Sequence, residues 1–184
     1  MDNRPSRTIE CVFCFAIAVV YAILHTGTTQ AQTSPGEMLA DFQKAKEAYA
    51  SKEFKQSAEL FRSVSSRCAG SELSLQCDYL AAISEWAHNP SEESIEKLGL
   101  WLQNFDRFKT EATAAGRIFN RRLLQSWARN SQFLQAKWDR QRKQIESAES
   151  RLRSLLDPAL EVDGATTRLP DIWLELGSLL LEDR

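Results

Sequence analysis

The chain has 184 residues, a formal charge of −2 and 43% hydrophobic residues, which allows one domain or a small pair and gives no global reason to expect nucleic acid or an acidic substrate. Seven glycines and five prolines are too few for the frequent turns of a β-sandwich or barrel, so an all-α fold is expected.

At the N-terminus, Arg4 and Arg7 precede an apolar run from Cys11 to Leu24, and a small, polar stretch from His25 to Gln32 follows. This is the three-part layout of a secretory signal. The 14-residue run would span about 21 Å as a helix against about 30 Å of hydrocarbon, which argues against a permanent membrane span. Thr29 and Ala31 supply the small side chains a signal peptidase accepts, so residues 1–31 are expected to leave a mature chain starting near Gln32. The alternative is an uncleaved inner-membrane anchor formed by residues 11–24, which Asp2 and Glu10 in the leader keep open. Export to a bacterial periplasm is the expectation, with membrane contact only if the leader is retained.

Cys11 and Cys14 fall inside the leader, and Cys68 and Cys77 remain. In an oxidising compartment these two are a candidate disulfide, with two buried thiols as the other reading. No cofactor or metal set is expected, because His88 is the one histidine beyond the leader and no zinc spacing surrounds it.

Ser34-Pro35-Gly36-Glu37 reads as a capping box that opens a first helix, with Met38, Phe42, Ala45 and Tyr49 as its buried stripe. After a turn near Ser51, Phe54, Ala58, Phe61 and Val64 form the stripe of a second helix that Gly70 closes. Ser71 caps a third helix carrying Leu75, Tyr79, Ala82, Ile83 and Trp86, and Asn89-Pro90-Ser91-Glu92 ends it and starts a fourth. The fourth holds Ile95, Leu98, Leu102 and Phe105, with Leu100 and Trp101 widening its apolar face. Two antiparallel helical hairpins are thus expected over 36–105.

In the first hairpin Ala45, Phe54, Ser57 and Phe61 fill small and aromatic positions in a pattern that resembles a tetratricopeptide repeat. Lys44 and Ala48 depart from that family's large and aromatic positions, and Tyr49 is displaced by one. Near the C-terminus Trp173, Leu176 and Gly177 spell W-x-x-L-G, similar to the family's signature for the first helix of a repeat. The resemblance implies a binding scaffold rather than a reaction.

Residues 110–156 read as a long basic helical segment, as one helix or as two broken at Asn130-Ser131, with Gly116 its one glycine. Phe133, Leu134, Trp138, Ile145, Ala148, Leu152 and Leu155 follow a four-three spacing like a short coiled-coil seam. That seam serves either packing within the chain or a homodimer. Arg117, Arg121, Arg122, Arg140 and Lys143 form a candidate basic ridge for phosphate, anionic lipid or an acidic protein. The plainer reading is a solvated face balanced by Glu92, Glu93 and Glu96. Trp127, Phe133 and Trp138 lie on the seam and read as core, and nucleic acid is not an expected partner.

A loop over 157–169 precedes a C-terminal helix over 170–184 that is strongly apolar for a terminus. Ile172, Trp173, Leu176 and Leu180 are its candidate partner surface, with a simple capping helix as the other reading. No phosphate loop, nucleophile elbow or H-E-x-x-H is present, and neither His88 nor the Glu92 and Glu96 pair makes a convincing catalytic set. A non-enzymatic scaffold that binds protein partners in the cell envelope is the expected function. The alternative is a structural homodimer assembled through residues 133–155.

Overall fold

The computed structural model describes residues 34–156 and 169–182; the expected leader over 1–31, with Cys11 and Cys14, and all but the last residue of the expected loop over 157–169 lie outside these. The fold is all-α. Among the described residues there are seven helices and no strand: α1 Pro35–Ala50, α2 Phe54–Arg67, α3 Glu72–His88, α4 Glu92–Ala114, α5 Arg121–Gln141, α6 Ile145–Leu155 and α7 Leu169–Glu182. They divide into two compact units with a boundary between Asn89 and Pro90. The boundary therefore separates α3 from α4, which the sequence reading joined in a second hairpin.

The first unit is built on α1, α2 and α3. The Ser34 hydroxyl accepts from the Glu37 amide at 3.3 Å, and the Ser34 amide donates to the Glu37 carboxylate at 3.0 Å. This is the expected capping box, satisfying two of the donors that any helix start leaves open. α1 and α2 pack along the stripes read from the sequence: Phe42 meets Phe61 edge-on with ring centroids 5.6 Å apart, and Tyr49 meets Phe54 at 5.3 Å. Between them Lys52 adopts φ 64°, a left-handed conformation for which glycine is usually chosen.

Small residues let these helices approach closely. Ala45, Ser57 and Ser84 are fully buried, and the Ser57 hydroxyl donates to the Ala45 carbonyl at 2.9 Å. The Ser84 hydroxyl donates to the Leu80 carbonyl at 2.7 Å, so each buried serine has its proton placed. α3 packs most extensively on α2, and it is buried on nearly every side rather than along one stripe. Among its covered polar residues, the Gln76 amide donates to the Glu72 carboxylate at 2.9 Å.

The second unit runs from α4 to α7. Ser91 caps α4, whose inner face is Ile95, Leu98, Trp101, Phe105 and Ala112, with Trp101 and Phe105 stacked at 5.6 Å. Leu102, expected on that face, is only half-buried, and Leu100 is 57% exposed. The helix ends at Ala114, and beyond its cap Gly116 takes φ +64° while the Arg117 amide bonds back to the Ala112 carbonyl at 2.8 Å.

The run over 110–156 is therefore not one long helix. It is broken at Ala115–Asn120 and again at Arg142–Gln144, whereas Asn130-Ser131 lies inside α5 and breaks nothing. At the second break Lys143 turns left-handed at φ 60°, and the chain reverses so that α6 packs on α5. Asp139, buried at the end of α5, accepts from the Ser147 hydroxyl at 2.7 Å and from the Arg151 guanidinium at 2.8 Å, pinning the reversal.

Candidate functional site

The reversal between α5 and α6 decides what becomes of the heptad-like seam. Phe133 and Ala136 on α5 and Leu152 and Leu155 on α6 face each other and join Ile172 and Leu176 of α7 in one core cluster. A homodimer through residues 133–155 would have to take these side chains out of that core. The seam is spent inside the chain, because the left-handed turn at Lys143 folds its second half onto its first.

The candidate partner surface divides in the same way. Ile172 and Leu176 are 3% exposed and belong to the core, whereas Trp173 and Leu180 are 60% and 41% exposed. The physical reason is helical geometry: positions 172, 176 and 179 share one narrow arc, and 173, 180, 174 and 181 share another, centred roughly 140° away. Leu174 and Leu181 are exposed as well and complete the outer arc. The sequence reading missed these two, though the same 3.6-residue period would have found them. Gly177 lies within the outer arc with open space where a Cβ would be. Glu175 flanks the inner arc and pairs with Arg140 of α5 at 2.7 Å.

That pair also breaks up the candidate basic ridge. Arg140 is neutralised by Glu175, and Lys143 stands apart in the turn after α5 with its side chain exposed. Of the neighbouring cations, Arg142 pairs with Glu92, Arg151 with Asp139 at 2.8 Å and Arg153 with Glu149 at 2.6 Å. The balancing acids on α4 thus include Glu92 as expected, while Glu93 is held by Lys97 on its own helix at 2.7 Å. Arg117, Arg121 and Arg122 remain exposed at the start of α5 and in the loop before it.

Cys68 and Cys77 are free thiols. Cys68 lies at the end of α2, where its thiol donates to the Val64 carbonyl at 3.2 Å, and Cys77 is fully buried on α3. Burial pushes both thiols above the usual range, Cys77 far above it, so neither is a ready thiolate at neutral pH. Nearby, Asp78 accepts from the Ser65 hydroxyl at 2.5 Å, and burial raises its carboxyl above the ordinary value.

His88 is exposed at the end of α3 and lines an open, shallow depression of about 410 Å³ with Lys52, Phe54, Lys55 and Glu59. No described helix is long and apolar enough to cross a membrane, and the described residues hold no cluster of metal-ligating side chains. Comparison of the chain with protein-family models, with curated proteins and with solved structures gives no match in any of the three.

Proposed function

We propose that this chain is a non-enzymatic binding scaffold of the bacterial cell envelope, built from tetratricopeptide-like helices, that holds a protein partner on the outer face of α7. The observation that carries the reading is the division of that helix into two apolar arcs. The inner arc is used by the core, and the outer arc leaves Trp173, Leu174 and Leu181 at 60%, 72% and 73% exposure. Large side chains left in water side by side cost free energy that burial against a partner recovers, about 1.5–3 kcal/mol for each leucine fully covered. A tryptophan at the edge of such a patch is the residue type most often found to dominate binding energy.

The test has two steps. Expression of the full chain in a bacterial host, followed by the intact mass of the product in each compartment, should give an envelope species starting near Gln32; a full-length cytoplasmic species would remove the envelope from the reading. Tagged parent and Trp173→Ser/Leu181→Ser chains are then passed through an envelope extract. A discrete protein retained by the parent and lost from the double variant is expected. Equal retention by both would sink the assignment to α7.

A further inference from the structure

Between α4 and α5 the chain holds an isoleucine out in water with arginines on both sides. Ile118 is fully exposed, at 101%. Its neighbours are anchored: the Arg117 amide is bonded to the Ala112 carbonyl at 2.8 Å, and the Arg117 guanidinium lies over the Phe108 ring, 5.6 Å from its centroid. Phe119 packs edge-on against Phe108 at 5.5 Å. Ile118 is thus presented by two tethered residues.

Arg121 and Arg122 follow in the first turn of α5, exposed and, among the described residues, without an ion pair. Cations are disfavoured at a helix N-terminus, where the backbone already presents positive charge, and α5 has no acid in its first turn to offset them. From residue 106 to residue 122 five cations face two acids, Asp106 and Glu111, and Asp106 is already bonded to Lys109 at 2.9 Å. This is a local reversal of charge on a chain whose formal charge is −2.

We propose that this loop is a contact site for an anionic lipid bilayer, in which Ile118 enters the boundary between headgroups and acyl chains while Arg117, Arg121 and Arg122 meet lipid phosphates. The isoleucine selects this occupant. Free phosphate or an acidic peptide would satisfy the arginines but give a protruding aliphatic side chain nothing to enter, whereas an anionic interface accepts charge and apolar surface together. The site is separate from α7 and does not rest on the partner reading above.

Co-sedimentation of the full chain with vesicles tests it, using phosphatidylcholine alone and phosphatidylcholine mixed with phosphatidylglycerol, at low and high salt. Binding to the neutral vesicles measures whatever residues 11–24 contribute. An excess on the anionic vesicles that high salt removes is expected. Replacing the three arginines with glutamine should reduce that excess about 100-fold, at about fivefold for each charge. Arg121→Lys, which keeps the charge, should retain it. Ile118→Ser should lower binding about tenfold, from loss of the buried side chain. All four side chains are exposed, so helical circular dichroism should be unchanged. No excess on anionic vesicles would overturn the proposal. So would an excess that Ile118→Ser leaves intact or that millimolar inorganic phosphate displaces, since either outcome leaves a purely electrostatic partner.

Discussion

Two glycines inside helices make a paired test of the outer face of α7. A glycine in a helix interior costs about 0.5–1 kcal/mol relative to alanine. At Gly177 an added Cβ meets nothing within 4 Å, so Gly177→Ala should recover that amount in full. In a domain of about 100 residues this raises the melting temperature by about 2–8 °C. At Gly99 the added Cβ would lie 3.0 Å from the Gln135 side-chain nitrogen. Gln135 can swing away, but its carbonyl oxygen accepts from Arg151 at 3.0 Å, and losing that bond costs about 1 kcal/mol at a site this exposed. Gly99→Ala should therefore leave the melting temperature nearly unchanged. The assay is thermal unfolding of the full-length parent and the two variants, followed by circular dichroism at several protein concentrations. A lower melting temperature for Gly177→Ala would refute the reasoning, because it would mean that the backbone at Gly177 is already covered in solution. If that loss grew with concentration, the cover would be a second copy of the chain. An equal rise at both glycines would show instead that Gln135 does not press on α4.

Three further outcomes follow from particular side chains. Burial raises the carboxyl of Asp78, so its ionised form is penalised in the folded state; stability should rise as pH falls from neutral through the raised value toward 3.8, and Asp78→Asn should flatten that rise in urea midpoints. Asp41 behaves oppositely, since the bond from Arg67 lowers its carboxyl, and its contribution is lost only as pH falls below 3.8, outside the window of Asp78. Glu175→Gln removes the partner of a largely covered Arg140 and should cost about 1–2 kcal/mol by chemical denaturation, between the values for exposed and buried pairs. Lys143→Gly relieves a left-handed backbone that carries a Cβ and should stabilise the fold by about 1 kcal/mol, read as a higher melting temperature.

Helix starts and stripes were legible in the sequence because they depend on neighbours three or four residues apart. Ser34 with Glu37, Ser71 with the Ser74 amide and Ser91 with Ser94 all make the caps read from the sequence. The apolar stripe of α1 and α2 packs as read. What the sequence could not show is which helix meets which. The spacing of Asn89-Pro90 marks the end of a helix equally well inside a hairpin and at a boundary between units, and here it is a boundary. Likewise a four-three spacing continues through Gln141 whether or not the chain turns there. A lysine in a left-handed conformation carries no sequence signal of the kind that a glycine gives.

The turn at Lys143 has a larger consequence than shortening a helix. Had the run over 133–155 stayed straight, its apolar side would have faced outward as a seam and Arg140 would have belonged to a ridge of cations. Folding it back places Leu152 and Leu155 against Phe133 and opens a site where Ile172 and Leu176 of α7 dock. Docking α7 in turn brings Glu175 to Arg140 and removes that arginine from the ridge. The cluster of arginines that this folding leaves exposed is at the opposite end of α5, and apolar surface is left exposed on the far arc of α7. Both candidate contact surfaces are thus what remains after one turn has assigned the rest of the segment to the core. Lys143→Pro, which cannot take the left-handed conformation, should therefore disturb α7 docking and the Arg140 pair together, while Ile118 and the arginines around it respond only to changes in their own loop.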